Sequence, residues 1–178
     1  MKNLFLPFFI GILLSLNAKC AFLLLPMDAS QTNHLKAYGI TYWSLTKEVP
    51  VDWLLNYRGG SFLIPQSTLI QNECMIRNVS FEIISDAQVN QLFEEIASPS
   101  SNMDVMKLEQ YPKIAVYSPK SKQPWDDAVT LVLSYAEIPY KVIFDDEIMY
   151  NELIRYDWLH LHHEDFTGQY GRFYKNYK

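Results

Sequence analysis

The chain has 178 residues, of which 49% are hydrophobic and 15% aromatic. This composition is typical of a globular domain with a sizeable core and unlike that of a disordered segment. The formal net charge is −5 and no stripe of Lys or Arg occurs, which argues against nucleic-acid binding and against docking on anionic lipid.

The first 20 residues have the pattern of a secretory signal peptide. Lys2 precedes an apolar run over residues 4–16, and small residues such as Ala18 follow it. The run is shorter than the about 20 apolar residues that a membrane span needs. We therefore expect export to the periplasm or the cell exterior, with no stable membrane span after cleavage. Lys19 disfavours a lipoprotein signal at Cys20, so we do not expect lipid anchoring there.

Strand-like and helix-like patterns alternate after this leader. Short apolar or alternating runs predict strands at residues 22–25, 51–57, 81–85, 113–117, 142–144 and 158–162. Apolar residues at helical spacing predict helices at residues 31–45, 66–77, 87–96, 124–136 and 147–156. This alternation predicts an α/β fold with a doubly wound, mostly parallel sheet and helices on both faces.

A Ser- and Pro-containing stretch at residues 98–102 is the clearest break in the pattern. It predicts a signal peptide at 1–20, a first α/β half at 21–98, a linker at 99–112 and a second α/β half at 113–178. No further strand pattern follows the last predicted strand, although that strand carries the best candidate site. We therefore expect further elements after it and a second half that is truncated.

The end of that last strand holds the most distinctive motif of the chain. His160 and His162 are two residues apart, which places both on one face of a strand, the spacing of His-x-His metal pairs. His163, Glu164 and Asp165 follow at once. Three interpretations stay open: a divalent metal held by His160 and His162, a proton-transfer or substrate site that uses all five side chains, or a structural role at the sheet edge.

Polar loops follow two other predicted strands and would lie at the same edge of a parallel sheet. We expect a site for a small polar ligand there, built from Asp28, Asn33, His34, Arg58, Gly59 and Gly60, with Trp125 and Asp126 from the start of a later helix. The alternative is that Asp28 or Ser30 caps a helix, that the two glycines form a tight turn, and that Trp125 packs over the sheet edge.

Five blocks of sequence, at residues 24–28, 31–39, 51–62, 122–130 and 156–171, carry a resemblance to a known family. They include Leu-Pro-Met-Asp ending at Asp28 and Asn-Tyr-Arg-Gly-Gly-Ser ending at Ser61. Together they resemble exported bacterial proteins that are often filed under the name asparagine synthetase B, whose members are longer than this chain. The resemblance implies asparagine synthesis from aspartate, glutamine and ATP. The doubly wound pattern is also similar to the flavodoxin-like and class I glutamine amidotransferase groups.

Candidate nucleophiles are scarce in this sequence. No Gly-x-Cys/Ser-x-Gly elbow occurs, and Cys74 lies in an apolar helical pattern that predicts a buried thiol. We therefore favour an exported small-ligand-binding or non-catalytic, amidotransferase-like module. A hydrolase or metal-dependent enzyme at the His-rich strand end and asparagine synthesis are the alternatives.

Overall fold

Two separate β-sheets, one antiparallel and one parallel, organise the described part of the chain. The computed structural model describes residues 21–118 and 128–161. The predicted signal peptide therefore lies outside the described residues, as do six predicted site residues: Trp125, Asp126, His162, His163, Glu164 and Asp165.

The large sheet has five strands, and each pairs antiparallel to its neighbours. In chain order the strands are β1 (Ala21–Leu25), β2 (Val51–Leu55), β3 (Ser61–Pro65), β4 (Glu82–Ser85) and β5 (Asp104–Leu108). Their order in the sheet is β4-β1-β3-β2-β5. Its helices are α1 (His34–Thr46), α2 (Thr68–Ile76) and α3 (Asp86–Ile96). We call these elements the large unit.

The prediction of a doubly wound, mostly parallel sheet is wrong, because the sequence pattern did not indicate β3 and β5. Only residues 56–60 separate β2 from β3, whereas a parallel connection needs a crossover of a dozen or more residues. The two strands must therefore pair antiparallel. β3 then lies between β1 and β2, and β5 forms an edge from residues that were predicted to be linker.

The first four strands have the connections of a split βαβ, or ferredoxin-like, arrangement. The units β1-α1-β2 and β3-α2-β4 interleave, so each pair of parallel strands has an antiparallel strand between its members. The helix α3 and the strand β5 are additions to that core.

Both faces of the large sheet are covered, since successive side chains of a strand point to opposite faces. One face packs on α1 and α2 and contains Leu23, Leu25, Ile40, Phe62, Ile64, Ile70 and Cys74. The other face packs on α3 and contains Leu24, Leu54, Leu63, Ile84, Val89, Leu92 and Ile96. Each fully buried aliphatic or aromatic side chain of this kind stabilises the fold by about 1.5–3 kcal/mol.

The small sheet has three parallel strands in the order β7-β6-β8. They are β6 (Ile114–Tyr117), β7 (Tyr140–Ile143) and β8 (Trp158–Leu161), connected through α4 (Ala128–Tyr135), α5 (Asp145–Met149) and a 3₁₀ turn (Glu152–Arg155). We call these elements the small unit. Parallel pairing with helical crossovers was predicted for these strands and is observed, but the strands do not join the large sheet.

The two units meet mainly where α1 packs against the C-terminal end of α4. A Cβ atom at Gly39 of α1 would lie 1.9 Å from the carbonyl oxygen of Ala136, so only glycine allows this approach. Polar contacts flank it. Asn33 Nδ2 donates to the Tyr135 hydroxyl at 2.7 Å, and the Tyr42 hydroxyl donates to the carbonyl of Pro112 at 2.9 Å.

In residues 21–118 and 128–161, none of the helices combines the length and the hydropathy required to cross a membrane. The longest of them is α1, with 13 residues.

Gly39→Ala tests the close approach of α1 and α4. Alanine is the better helix former, by about 0.5–1 kcal/mol, and would stabilise an isolated helix. In the folded chain the new methyl group collides with the Ala136 carbonyl, and we expect a net loss of about 1 kcal/mol or more in the free energy of unfolding. Urea denaturation measures it. Asn90→Ala, at an exposed position of α3, is the control, and equal effects of the two substitutions would contradict the contact.

Candidate functional site

Three of the residues predicted to bind ligand meet at one end of the large sheet. Arg58 Nε lies 2.7 Å from Asp28 Oδ2, and the His34 Nε2 atom lies 3.0 Å from the Asp28 carbonyl oxygen. The prediction assumed one parallel sheet, which is not what forms. The residues still gather because β1 and β2 both run antiparallel to β3, so their carboxyl ends share an edge.

The charges of this cluster satisfy one another. Arg58 Nη1 lies 2.8 Å from Glu82 Oε1, and Arg58 Nη2 donates to the Ser30 hydroxyl at 3.1 Å. The Arg58 guanidinium, with hydrogen bonds from Ser30, holds the pKa of Asp28 far below its ordinary value. In turn, Asp28 and Glu82 raise the pKa of Arg58. The network joins the loop after β1, the β2–β3 turn and the start of β4.

The other predicted ligand-binding residues near this cluster, Gly59, Gly60 and Asn33, have structural roles in the backbone. Gly59 has φ 83°, and a Cβ atom there would lie 2.4 Å from the Met27 carbonyl oxygen. Gly60 has φ 93° and its amide donates to the Tyr57 carbonyl, which closes a tight turn. Asn33 caps α1, because its side chain accepts from the Lys36 amide at 3.1 Å. These positions therefore shape the loops around Arg58.

A polar hollow of about 260 Å³ adjoins this cluster. Arg58, Glu82 and Glu95 supply its charged lining, with Leu24 and Leu92 among its apolar residues. Three of the five guanidinium donors of Arg58 are already hydrogen-bonded within the protein. The cluster is thus chiefly a structural ion-pair network, and a ligand would have to compete with its internal contacts.

The acid dependence of stability tests this network. Because its pKa is lowered in the folded chain, Asp28 contributes stability above the ordinary Asp pKa of about 3.9, and that contribution is lost as the pH falls through the lower folded value. Asp28→Asn should therefore lower Tm at pH 7, and the difference from wild type should shrink below about pH 4. Glu94→Gln, an exposed site on α3, should show no such trend; a pH-independent effect of Asp28→Asn would contradict the ion pair.

The described part of the His-rich motif, His160, lies on the small sheet. His160 is on β8 opposite Val116 of β6, and the chain passes from one side of β6 to the other between β7 and β8. This reversal makes the carboxyl ends of β6 and β8 a topological switch point, where ligands bind in open α/β sheets. At the carboxyl edge of this sheet the Tyr117 hydroxyl donates to Asp145 Oδ1 at 2.6 Å.

Some of the predicted site does not form as expected. His34 belongs to the large unit and His160 to the small unit, so the expectation of both on one parallel sheet is wrong. Within the two described ranges, no group of three His, Cys, Asp or Glu side chains could hold a metal ion. His162, His163, Glu164 and Asp165 lie outside those ranges, and the metal and catalytic assignments stay predictions.

The sequence pattern did not indicate a cavity of about 470 Å³ between the two units. The helix α1 and the strands of the large sheet form one wall, and the small unit forms the other. The cavity is lined by Tyr38, Thr41, Tyr42, Leu45, Trp53, Phe62, Leu108, Pro112, Ile114, Leu133, Ile138 and Trp158.

The described residues that line this cavity are apolar or aromatic apart from Thr41, and they are uncharged. Tyr38 and Trp53 flank Phe62, with ring centroids 5.5 Å and 6.1 Å from its own. Trp53 Nε1 donates to the Gly60 carbonyl at 3.1 Å, and the Thr41 hydroxyl donates to the Ala37 carbonyl at 3.0 Å. These polar atoms are therefore bonded within the protein and do not point a free donor at an occupant.

Tyr42 also lines the cavity, and its hydroxyl is neutral. Its hydroxyl donates to the Pro112 carbonyl, and burial raises the pKa of Tyr42 above its ordinary value. The helical pattern over residues 31–45 predicted α1 and gave no indication that Tyr38 and Tyr42 line a cavity. One signal in the sequence could have indicated this role. Tyr38 and Tyr42 lie on a different face of the helix from Ala37 and Ile40, which pack into the core.

No family model matches the sequence, and comparisons with curated proteins and with solved structures give no match. The resemblance to the family named asparagine synthetase B therefore stays a prediction, and the function is argued from the chemistry of the sites.

Proposed function

We propose that the chain is a non-catalytic ligand-binding module that holds a small, uncharged molecule with an aromatic or apolar body between its two units. The cavity between the units carries this proposal. Its volume of about 470 Å³ is in the range of small-molecule pockets, and junctions between structural units are a preferred place for them. Export of the module remains an expectation from its first 20 residues.

The lining of the cavity determines the class of ligand. Among the lining residues that lie in the described ranges there is no Asp, Glu, Lys, Arg or His, so a charged ligand would be desolvated there without a partner, which is strongly unfavourable. Aromatic rings favour planar or apolar groups because they offer large surfaces at little cost in side-chain entropy. An uncharged aromatic molecule meets both conditions.

The same lining argues against catalysis in this cavity. General acid–base chemistry needs a titratable group near neutral pH, and in the described part of the lining the titratable residues are tyrosines. The described cysteine, Cys74, is fully buried in the core between α2 and the large sheet. Burial raises the pKa of Cys74 to about 12, so it is a protonated core residue and not a nucleophile at neutral pH.

Binding of N-phenyl-1-naphthylamine, an uncharged aromatic dye that fluoresces in apolar surroundings, tests the proposal. We expect saturable binding of one dye per chain, with a Kd on the order of 10 µM. Ile138→Trp places a larger side chain in the cavity and should raise Kd about tenfold or more, since a filled cavity leaves less apolar area for the dye.

Leu131→Trp is the matched control, because Leu131 lies on the exposed side of α4 and does not line the cavity. It should leave Kd unchanged. Absence of saturable binding to the wild-type chain, or equal loss of binding in both Trp variants, would refute the cavity as the ligand site.

A second candidate function is a metal-dependent hydrolase at the end of β8. The observation that favours it is the position of His160 beside the switch point of the small sheet. Zinc titration by calorimetry tests it. The hypothesis requires one zinc per chain in wild type and loss of that zinc in His160→Ala. His34→Ala, on α1 of the large unit, should retain it, and no zinc uptake by wild type would exclude the hypothesis.

A further inference from the structure

The residues that line the cavity between the two units differ greatly in their exposure to solvent. Phe62, Ile114 and Leu133 are at most 4% exposed, and we call them the floor of the cavity. Tyr38 of α1 and Trp158 of β8 line the same cavity, yet each is 43% exposed, and we call them its rim. The protein therefore encloses the floor, while the rim is in contact with water.

The two rim residues also differ from the rest of the lining in their polar groups. The polar groups of Thr41, Tyr42 and Trp53 are hydrogen-bonded within the protein. In the described part of the chain, neither the Tyr38 hydroxyl nor the Trp158 indole N–H has a protein hydrogen-bond partner. Tyrosine and tryptophan suit such a boundary, because the ring packs against apolar surface while the polar group stays in water.

Floor and rim favour different parts of a bound molecule. At the floor, a polar group would lose its water and find apolar side chains in exchange, which is unfavourable. At the rim, a polar group keeps its contact with water and lies near two groups that can donate a hydrogen bond, a phenol O–H and an indole N–H. A molecule with an apolar body and an oxygen-containing head satisfies both ends of the cavity.

We propose that the ligand is an uncharged amphiphile, bound with its apolar chain or ring on the floor and its oxygen-containing head at the rim beside Tyr38 and Trp158. This inference rests on the proposed function of the cavity, and it adds the class of the ligand and its orientation. The cavity of about 470 Å³ has space for one chain or ring system, and the head extends beyond it into solvent.

Competition against bound N-phenyl-1-naphthylamine tests the orientation. The competitors are 1-octanol and octyl β-glucoside, used below its critical micelle concentration, which have the same chain and heads of very different size. Because the head lies in solvent, their inhibition constants should agree within about threefold. Glucose is the control, and it should not compete because it has no apolar body.

The two competitors separate this inference from the proposed function. Displacement of the dye by octanol but not by octyl glucoside would mean that the cavity accepts only what it encloses. That result would overturn the amphiphile and leave the proposed function intact. If neither the dye nor octanol binds, the proposed function is refuted, and the amphiphile site is refuted with it.

Tyr38→Phe and Trp158→Phe test the contact between the head and the rim, since each keeps an aromatic ring and removes the polar group. Each should weaken octyl glucoside about threefold, as expected for one solvent-exposed hydrogen bond, and leave the Kd of the oxygen-free dye unchanged. Equal weakening of both ligands would indicate ring packing alone. That result, or no change in either variant, would overturn the head contact.

Tyr150→Phe is the matched control, because Tyr150 is an exposed tyrosine that is absent from the described lining. It should change the affinity for neither ligand.

Flotation with phosphatidylcholine vesicles distinguishes a free amphiphile from a lipid of a bilayer. We expect the chain not to float, because about 470 Å³ is space for one drug-sized molecule and not for two long acyl chains. Flotation of the wild-type chain that is lost in Ile138→Trp would mean that the cavity takes its ligand from a bilayer. That result would overturn the assignment to a free amphiphile.

Discussion

The short connection between β2 and β3 constrains the whole large unit. Five residues cannot carry the chain across a sheet, so β3 must turn back beside β2. Once β3 lies between β1 and β2, the helix α1 crosses over it and the carboxyl ends of β1 and β2 meet at one edge. Four residues of this connection, Asn56, Arg58, Gly59 and Gly60, have positive φ. This backbone places Arg58 against Asp28 at that edge.

The two sites of the molecule use opposite physical chemistry. At the edge of the large sheet, Arg58 is enclosed by Asp28 and Glu82, and each charge is compensated within the protein. Such a network fixes loops and leaves little binding capacity for a ligand. Between the units, the described lining residues offer apolar and aromatic surface and carry no charge. Apolar surface that is exposed in a cavity binds apolar molecules, so the cavity is the stronger candidate for the ligand site.

Cavity and junction are linked through α1. Its buried side, with Ala37 and Ile40, packs on the large sheet, while Gly39 meets the small unit and Tyr38 and Tyr42 line the cavity. The same helix therefore contacts the large sheet, contacts the small unit and forms part of the cavity wall.

The sequence by itself determined the local elements: the buried runs of β1 and β6, the helices α1 to α3, the buried Cys74 and the strand that carries His160. It also placed Asp28, His34 and Arg58 near one another, since residues that follow parallel strands share an edge even when an antiparallel strand intervenes.

Tertiary structure alone decided the rest. Ser61–Pro65 is a short buried run whose periodicity does not reveal its partner strand, and Asp104–Leu108 is a half-exposed edge with no strong pattern. The cavity depends on the angle and distance at which the two units meet. The contacts of Gly39 with Ala136 and of Asn33 with Tyr135 set that geometry between residues about 100 positions apart, and no local pattern encodes such contacts.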